Sequence, residues 1–456
     1  KVGEATSDIS SIFLNRLGID DILSKQPKKT GLRFIFNEQN SARKTDVFEF
    51  ASPAFKSISN GYHLNRSVFD ADLLQECEKR GIAVLRPAEL NDIDIKTHKS
   101  VLHVTFNGES VDIKTRWFID ASGNFRYVKK KLKWKDKEIT LNTGAITAHF
   151  TNLPPQSEWD REGTSYWNKN AIGSEAYSTT HFLKPHSWWW LIKLDESTTS
   201  IGVVYDKNAI KFSDAESYFY QSIKEDKLLS KVTRGAKISK INHLNSLPYV
   251  CAKMHQDNVA VIGDAGAFVD PLFSPGLELI CQQNEHLISL LLDYFKTDRK
   301  DLKAWGSYEK QFVNTYLDRV LVYSKLYHFM HSYDLFSNAT QLLFFGYQSF
   351  AVLPLKYFHG RIKNPSRLQI LDRVVIKWVF NRFYKISVKR KLQNRQSFSL
   401  NQPLFYSRVG IPNGIFYVFK PIQLALIWLT NYIKIETAEG YYLFKSTCLR
   451  VLQKDQ

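Results

Sequence analysis

The chain has 456 residues, enough to bury a large core and to form more than one lobe. It carries 62 Lys and Arg against 45 Asp and Glu, a formal net charge of +17 that favours an acidic partner, nucleic acid or an anionic surface. Four dispersed cysteines (Cys77, Cys251, Cys281, Cys448) show no metal or disulfide-scaffold spacing. No apolar run reaches the roughly 20 residues of a membrane span, and no repeat or nucleic-acid motif is present. Two of the cysteines fall in apolar stretches and there is no secretory signal, so the reading is buried thiols in a reducing, cytoplasmic compartment.

In chain order, residues 7–24 place Ile9, Ile12, Phe13, Leu17 and Leu23 on an irregular apolar face and predict one helix. A basic loop, Lys28-Lys29-Thr30-Gly31, enters a strand at Phe34-Ile35-Phe36. Asn65-Arg66-Ser67 opens a helix with Ser67 as its cap and Asp70 at the third helical position. Gly81 to Leu85 reads as a parallel strand. Val101 to Phe106 and Val111 to Thr115 read as a hairpin through Asn107-Gly108. Trp117-Phe118-Ile119 is a strand ending in Asp120-Ala121-Ser122-Gly123. The lysine run at 129–135 is a solvated face.

From 138 to 255 aromatic and β-branched segments alternate with polar turns and predict an antiparallel sheet roofing a pocket. In Trp188-Trp189-Trp190, strand alternation sends Trp189 to the opposite face from its neighbours. Val259 to Ile262 is a buried strand stopped by Gly263-Asp264, and a helix begins near Gly276. Beyond Leu290 the chain is mostly helical, with apolar helical spacing from Trp305 to Met330. The basic run Lys385 to Arg395 reads as solvated. Pro421 to Ile433, flanked by Lys420 and Lys434, reads as a core or docking helix in preference to a membrane-surface one.

A strand that stops at Gly263-Asp264 and leads through a glycine-containing loop into a helix gathers a carboxylate and free backbone N–H groups. That suits a cofactor with ribityl hydroxyls and phosphates. Gly263-Asp264-Ala265, Asp270-Pro271 and Ser274-x-Gly276 together resemble the second flavin-binding motif of FAD-dependent monooxygenases, in the form carried by flavin-dependent halogenases. The resemblance implies that Asp264 contacts the ribityl chain and that Pro271 and Gly276 line the isoalloxazine. It extends to other segments. Val2-Gly3-Glu4 resembles the segment after the first βαβ unit, although no Gly-x-Gly-x-x-Gly turn occurs in these residues. Arg66-x-x-Phe69-Asp70 resembles the signature whose arginine approaches the FAD phosphates, and Asp120 to Gly123 a third signature at the cofactor. Lys29 takes the position of the lysine that holds hypohalous acid in halogenases, with Lys28 one residue away. Trp188-x-Trp190-x-Ile192 resembles the halogenase signature, with Lys193 in place of its proline.

One departure bears on chemistry. The Ser-x-Gly loop holds chloride through backbone N–H groups in halogenases, and here its middle residue is Pro275, which has none. A hydrogen bond to an anion is worth about 1.5–3 kcal/mol, so the halide site is expected to be weaker by roughly tenfold or more.

The expected architecture is α/β. A Rossmann-like FAD-binding domain of the monooxygenase/halogenase type, its first βαβ unit incomplete, spans 1–137 and 256–300. An antiparallel substrate lobe spans 138–255 and a helical cap 301–456. The resemblance implies FAD, with Glu4, Arg66, Asp120, Gly123, Gly263, Asp264, Pro271 and Gly276 binding it, Lys29 catalytic, and Trp188, Trp190 and Ser274 at the substrate. Oxygen activated at reduced flavin would oxidise or halogenate a small aromatic or acyl-tethered substrate, with an acidic carrier protein as one partner. Whether a separate flavin reductase supplies electrons stays open. Two other classes stay open. One is a flavin-dependent reductase or dehydrogenase of lipid or isoprenoid substrates at a membrane surface; the other is a cofactor-free scaffold, if the chain truly starts at Lys1.

Overall fold

An eight-stranded sheet forms the centre of the molecule. The computed structural model describes residues 5–37, 45–51, 61–95, 99–154, 177–347, 351–352, 367–392, 425–426 and 428–440. Across the sheet the strands run Lys237–Ile238, Thr143–Thr151, Thr198–Asp206, Ser187–Lys193, Ser178–Lys184, Gly31–Asn37 and Thr45–Ala51, with Asn242–Leu244 also paired to Thr143–Thr151. All neighbours are antiparallel except Ser178–Lys184 and Gly31–Asn37, which run parallel with His181 beside Phe34. The sheet is therefore wider than the 138–255 segment. Its last two strands come from the chain on either side of residues 38–44, a long-range pairing that local pattern does not announce.

Both faces of this sheet are covered, which is why Trp188 to Ile192 reads as a continuous apolar run. One face packs Phe34, Phe36, Trp188 and Trp190 against the long helices Pro275–Thr297, Leu302–Phe329 and Tyr333–Tyr347. The other packs Ile35, Phe182, Trp189 and Phe150 against Phe219, Ile223, Leu229 and Val232 of the helices Ala215–Glu225 and Lys227–Val232. The split between Trp189 and its neighbours follows the strand alternation. The two short helices were not read from the sequence; their signal is Asp214, whose carboxylate caps the Ser217 amide at 2.7 Å.

Gly202 sits opposite Trp190 in the strand register. A Cβ there would lie 2.3 Å from Trp190 Cζ2 and 2.7 Å from the Ile146 carbonyl oxygen. Gly202→Ala is expected to destabilise the fold by about 1–3 kcal/mol through overpacking, measured as a lower urea midpoint at unchanged m-value.

A second, three-stranded sheet sets Val259–Val261 parallel to Phe118–Asp120, with His255–Gln256 on the far side. The Ile262 amide donates to the Asp120 carbonyl at 3.0 Å, so two distant sequence signatures end side by side. The meander Ala88–Asp94, Ser100–Phe106 and Glu109–Thr115 includes the expected hairpin, with Asn107 and Gly108 at φ +52° and +82°.

Three local expectations are corrected. Residues 7–24 form two helices, Asp8–Arg16 and Asp20–Ser24, because Gly18 takes φ +66° just past the first one's end. Asn65, not Ser67, occupies the cap of the Arg66–Lys79 helix. It makes no capping bond, since its side chain accepts from Ser67 Oγ at 2.6 Å and donates to Asp195 at 3.3 Å. Gly81 to Leu85 form no strand: no described segment supplies a ladder, and Ile82 and Leu85 stand exposed.

The helical region after 301 is held by Arg390, which lies buried at 4% exposure inside a run expected to be solvated. Its guanidinium donates to Asp334 at 2.8 and 3.1 Å and to Glu439 at 2.8 Å, tying the Arg367–Leu392 helix to two others. Residues 428–440 are helical, with Leu429 and Ile433 exposed and Ile435 buried against the core. Among the described residues, no helix is long and apolar enough to cross a membrane.

Candidate active site

A cavity of about 680 Å³ opens between the Trp188/Trp190 face of the large sheet, the end of the small sheet and the start of the Pro275–Thr297 helix. That volume is ordinary for a cofactor or drug-sized ligand. At one end Gly263 leaves the Val259–Val261 strand at φ +53°. Its amide donates to Gln283 Oε1 at 2.9 Å, while Gln283 Nε2 returns to the Val261 carbonyl at 3.1 Å. Gln283, buried on the Pro275–Thr297 helix, therefore pins the strand end to the helix. A Cβ on Gly263 would come within 2.9 Å of Ile280, so the turn needs glycine for both conformation and space.

Asp264 follows, with its carboxylate on the cavity. Burial pushes that carboxyl up to about 6 against the pull of Arg66, and it accepts no hydrogen bond from the described residues. Arg66 lines the same end, held by Asp70 at 2.6 and 3.2 Å. A half-buried carboxylate without a donor is a strong demand for one.

The loop 270–276 forms the floor. Asp270 is fully buried and accepts from Tyr327 Oη at 2.5 Å and the Leu272 amide at 3.0 Å. Burial raises its carboxyl to about 6, opposed by these donors. Trp188 Nε1 donates to Tyr327 Oη at 3.0 Å, so a relay runs from the sheet through the Leu302–Phe329 helix to the loop. Phe273 and Ser274 are both left-handed, at φ +69° and +56°, a conformation costing non-glycine residues roughly 1–2 kcal/mol each. Packing of the Phe273 ring against Phe34, Tyr323 and Phe336 compensates. The Ser274 amide is already donated to the Pro271 carbonyl at 2.9 Å. With Pro275 at the first helical position, the amides of the first turn begin at Gly276, which has open space where a Cβ would be.

Lys29 lies one layer behind the cavity wall. It pairs with Gly61 in a two-residue strand, its partner Lys28 exposed, and its Nζ donates to the Thr6 carbonyl at 3.2 Å. Of the two adjacent lysines, only Lys29 points inward. Burial lowers its ammonium to about 8, with Asp8 opposing.

Trp188 and Trp190 line the cavity while their N–H groups are taken, Trp190 Nε1 by Ser200 Oγ at 3.1 Å. Arg66, Asp264, Pro271, Ser274, Gly276, Trp188 and Trp190 all line this one space. Asp120 does not: both its oxygens accept backbone amides, Ser122 at 2.8 Å and Val128 at 2.7 Å, so it shapes the loop. Gly123 turns that loop at φ +61° and brings Asn124, not itself, to the wall. Glu4 lies outside the described residues. Tyr316, Tyr249, Thr179 and His181 also line the wall, and none of them stands in a motif that marks it as a site residue.

The residues present suit FAD in one testable respect. The undonated carboxylate of Asp264, beside Arg66 and above a helix start with free amides, matches a polyol followed by an anionic group. The family model for tryptophan halogenase matches residues 34–333. Among curated proteins, the 1H-pyrrole-2-carbonyl-[peptidyl-carrier protein] chlorinase of Pseudomonas fluorescens is 23% identical over 321 residues, covering 69% of this chain and 67% of that protein. The flavin-dependent halogenase chlA of Dictyostelium discoideum is 27% identical, covering 64% of this chain and 52% of its own length. The chain thus spans between half and two thirds of these relatives. The crystal structure of halogenase PltM superposes with a TM-score of 0.72 at 17% identity, covering 87% of this chain and 85% of that one. CmlS, a flavin-dependent halogenase, gives 0.60 at 20% identity, covering 95% and 71%. These likenesses share the fold, and the family match spans most of the sheet, the loop 270–276 and the helix that follows. The chain belongs to the tryptophan halogenase family of FAD-dependent enzymes.

Proposed function

We propose that this protein activates O2 at reduced FAD to oxidise or halogenate a small aromatic or carrier-tethered substrate. The observation that carries this reading is the convergence of Asp264, Arg66, the 270–276 loop, Trp188 and Trp190 on one cavity with Lys29 behind its wall. Bound FAD supplies the oxygen chemistry. The chain's own part is positional. Asp264 accepts from a ribityl hydroxyl, Arg66 offsets phosphate charge, and the tryptophan faces exclude water. Lys29 supplies a buried cation one layer behind the wall at which the oxidised species meets substrate. The surface charge of +17 suits an acidic carrier protein, and the match to a carrier-protein chlorinase supports that class of substrate.

Oxygen transfer is favoured over halogenation by the donor set. Ser274 N–H is donated to the Pro271 carbonyl and Pro275 has none, so of Ser274, Pro275 and Gly276 only Gly276 keeps an amide for a halide. The test is product mass spectrometry on phenols, indoles and pyrroles, free and carrier-tethered, with and without bromide. Hydroxylated products in both conditions support oxygen transfer, and brominated products would show that the thinner halide site still works. Asp264→Ala is expected to weaken FAD binding by roughly tenfold or more, read from flavin absorbance retained on gel filtration. A protein that stays colourless with added FAD would refute the reading.

A further inference from the structure

The strand Ser178–Lys184 places Thr179 and His181 two residues apart, on one face of the sheet and on the cavity wall. His181 is buried, with Nδ1 3.0 Å from the carbonyl oxygen of Arg33. A carbonyl can only accept, so Nδ1 carries the hydrogen and Nε2 presents a lone pair. Burial above all, helped by the Lys29 cation and opposed by the Arg33 carbonyl, lowers this imidazole to about 3, so it stays neutral. Nε2 has no hydrogen-bond partner among the described residues.

The same logic applies one shell out. His63 Nδ1 lies 2.9 Å from the Lys193 carbonyl and must donate to it, leaving Nε2 as acceptor. Thr179 Oγ1, 2.9 Å from that Nε2, therefore gives its single hydroxyl proton to His63. Thr179 Oγ1 is left with lone pairs alone for any further partner, and the residue lines the cavity. The neighbouring indole N–H groups of Trp188 and Trp190 are committed to Tyr327 and Ser200. This stretch of wall offers acceptors and aromatic faces, and its donors are all engaged.

We propose that Thr179 and His181 form an acceptor pair that selects a neutral aromatic substrate bearing two O–H or N–H donors on one edge, as in a 1,3-dihydroxyarene. The pair discriminates against the O-methylated form, which would set its oxygens against two lone pairs and leave both acceptors desolvated. This deepens the proposed function and rests on its placement of an aromatic substrate in this cavity. The tautomers of both imidazoles are set by backbone carbonyls, and the His63 tautomer in turn fixes the direction of the Thr179 hydroxyl, so the selectivity is built into the fold.

The test is isothermal titration of the FAD-supplemented full chain with resorcinol and with 1,3-dimethoxybenzene. Wild type is expected to bind resorcinol at least about tenfold more tightly than the diether. His181→Phe, which keeps the ring stacked on Phe34, and Thr179→Val are each expected to shrink that ratio by roughly three- to tenfold, while Thr179→Ser preserves it. A wild-type ratio near one overturns the proposal, and so does a ratio unchanged in both variants. If one variant fails to fold by circular dichroism, the wild-type ratio and the other variant decide. Flavin absorbance in the same samples separates the two readings. Loss of the ratio with flavin bound defeats the acceptor pair alone, and a preserved ratio without flavin binding defeats the flavin reading alone.

Discussion

Replacing Lys29 with methionine is expected to lower turnover by roughly 10²–10⁴-fold while flavin binding and thermal stability are retained. Among the described residues the ammonium has one hydrogen bond, to the Thr6 carbonyl, and its stem packs beneath Gly61, where a methionine stem also fits. Its position next to His63, Thr179 and His181 puts a donor behind a wall that otherwise accepts. The pH dependence follows from burial, which lowers the group from 10.5 to about 8. A step that needs the ammonium as donor is fully supported below that value and falls about tenfold per pH unit above it. His63 and His181, each lowered to about 3, stay neutral across this range, and the charge of Asp8 beside Lys29 opposes its shift. Stability runs the other way. Between about 8 and 10.5 the unfolded lysine binds a proton that the folded one has lost, so this group's contribution to stability rises with pH. Lys29→Met should therefore not lower the melting temperature at neutral pH. A pH–rate profile beside a pH–melting profile checks both signs. Full turnover in the methionine variant would remove Lys29 from the chemistry.

Arg390→Met is expected to cost about 3–5 kcal/mol, the largest stability loss foreseen for any single substitution considered. Arg390 and its two carboxylate partners, Asp334 and Glu439, are each under 5% exposed. Removing the guanidinium would strand two buried carboxylates that have lost their shared cation. The penalty comes from those orphaned charges more than from any net value of the pairs. Accordingly, Arg390→Met combined with Asp334→Leu and Glu439→Leu should recover most of the loss. Urea unfolding of the single and triple variants measures this. FAD binding to the folded fraction should be unaffected, because the network lies outside the cavity wall.

Much of the site was legible because its parts are local. The apolar run Val259 to Val261 followed by Gly263-Asp264, and Pro275-Gly276 opening a helix, are decided by backbone chemistry within a few residues. The alternation of Trp188, Trp189 and Trp190 likewise follows from strand geometry alone. Illegible parts depended on partners far away. His181 and Thr179 looked like ordinary strand residues, and their acceptor character exists only because carbonyls of Arg33 and Lys193 lock two imidazoles. Tyr316 and Tyr327 fall within the apolar helical spacing from Trp305 to Met330, and only the course of the Leu302–Phe329 helix gives one a place on the cavity wall and the other a bond to Asp270. Asp120 is the reverse case: its oxygens accept the Ser122 and Val128 amides, contacts that a motif match does not announce.

By itself the sequence determined the strand–turn–helix at Gly263-Asp264, the two-faced tryptophan strand, and the family to which they belong. Residue periodicity and turn chemistry act within about ten positions, and those features need no more. Tertiary structure alone decided which lysine faces inward, which carboxylates stay undonated, and which way two histidine protons point. Each of those depends on a hydrogen bond or a burial between segments far apart in the chain, and only the folded arrangement of sheet and helices brings them together.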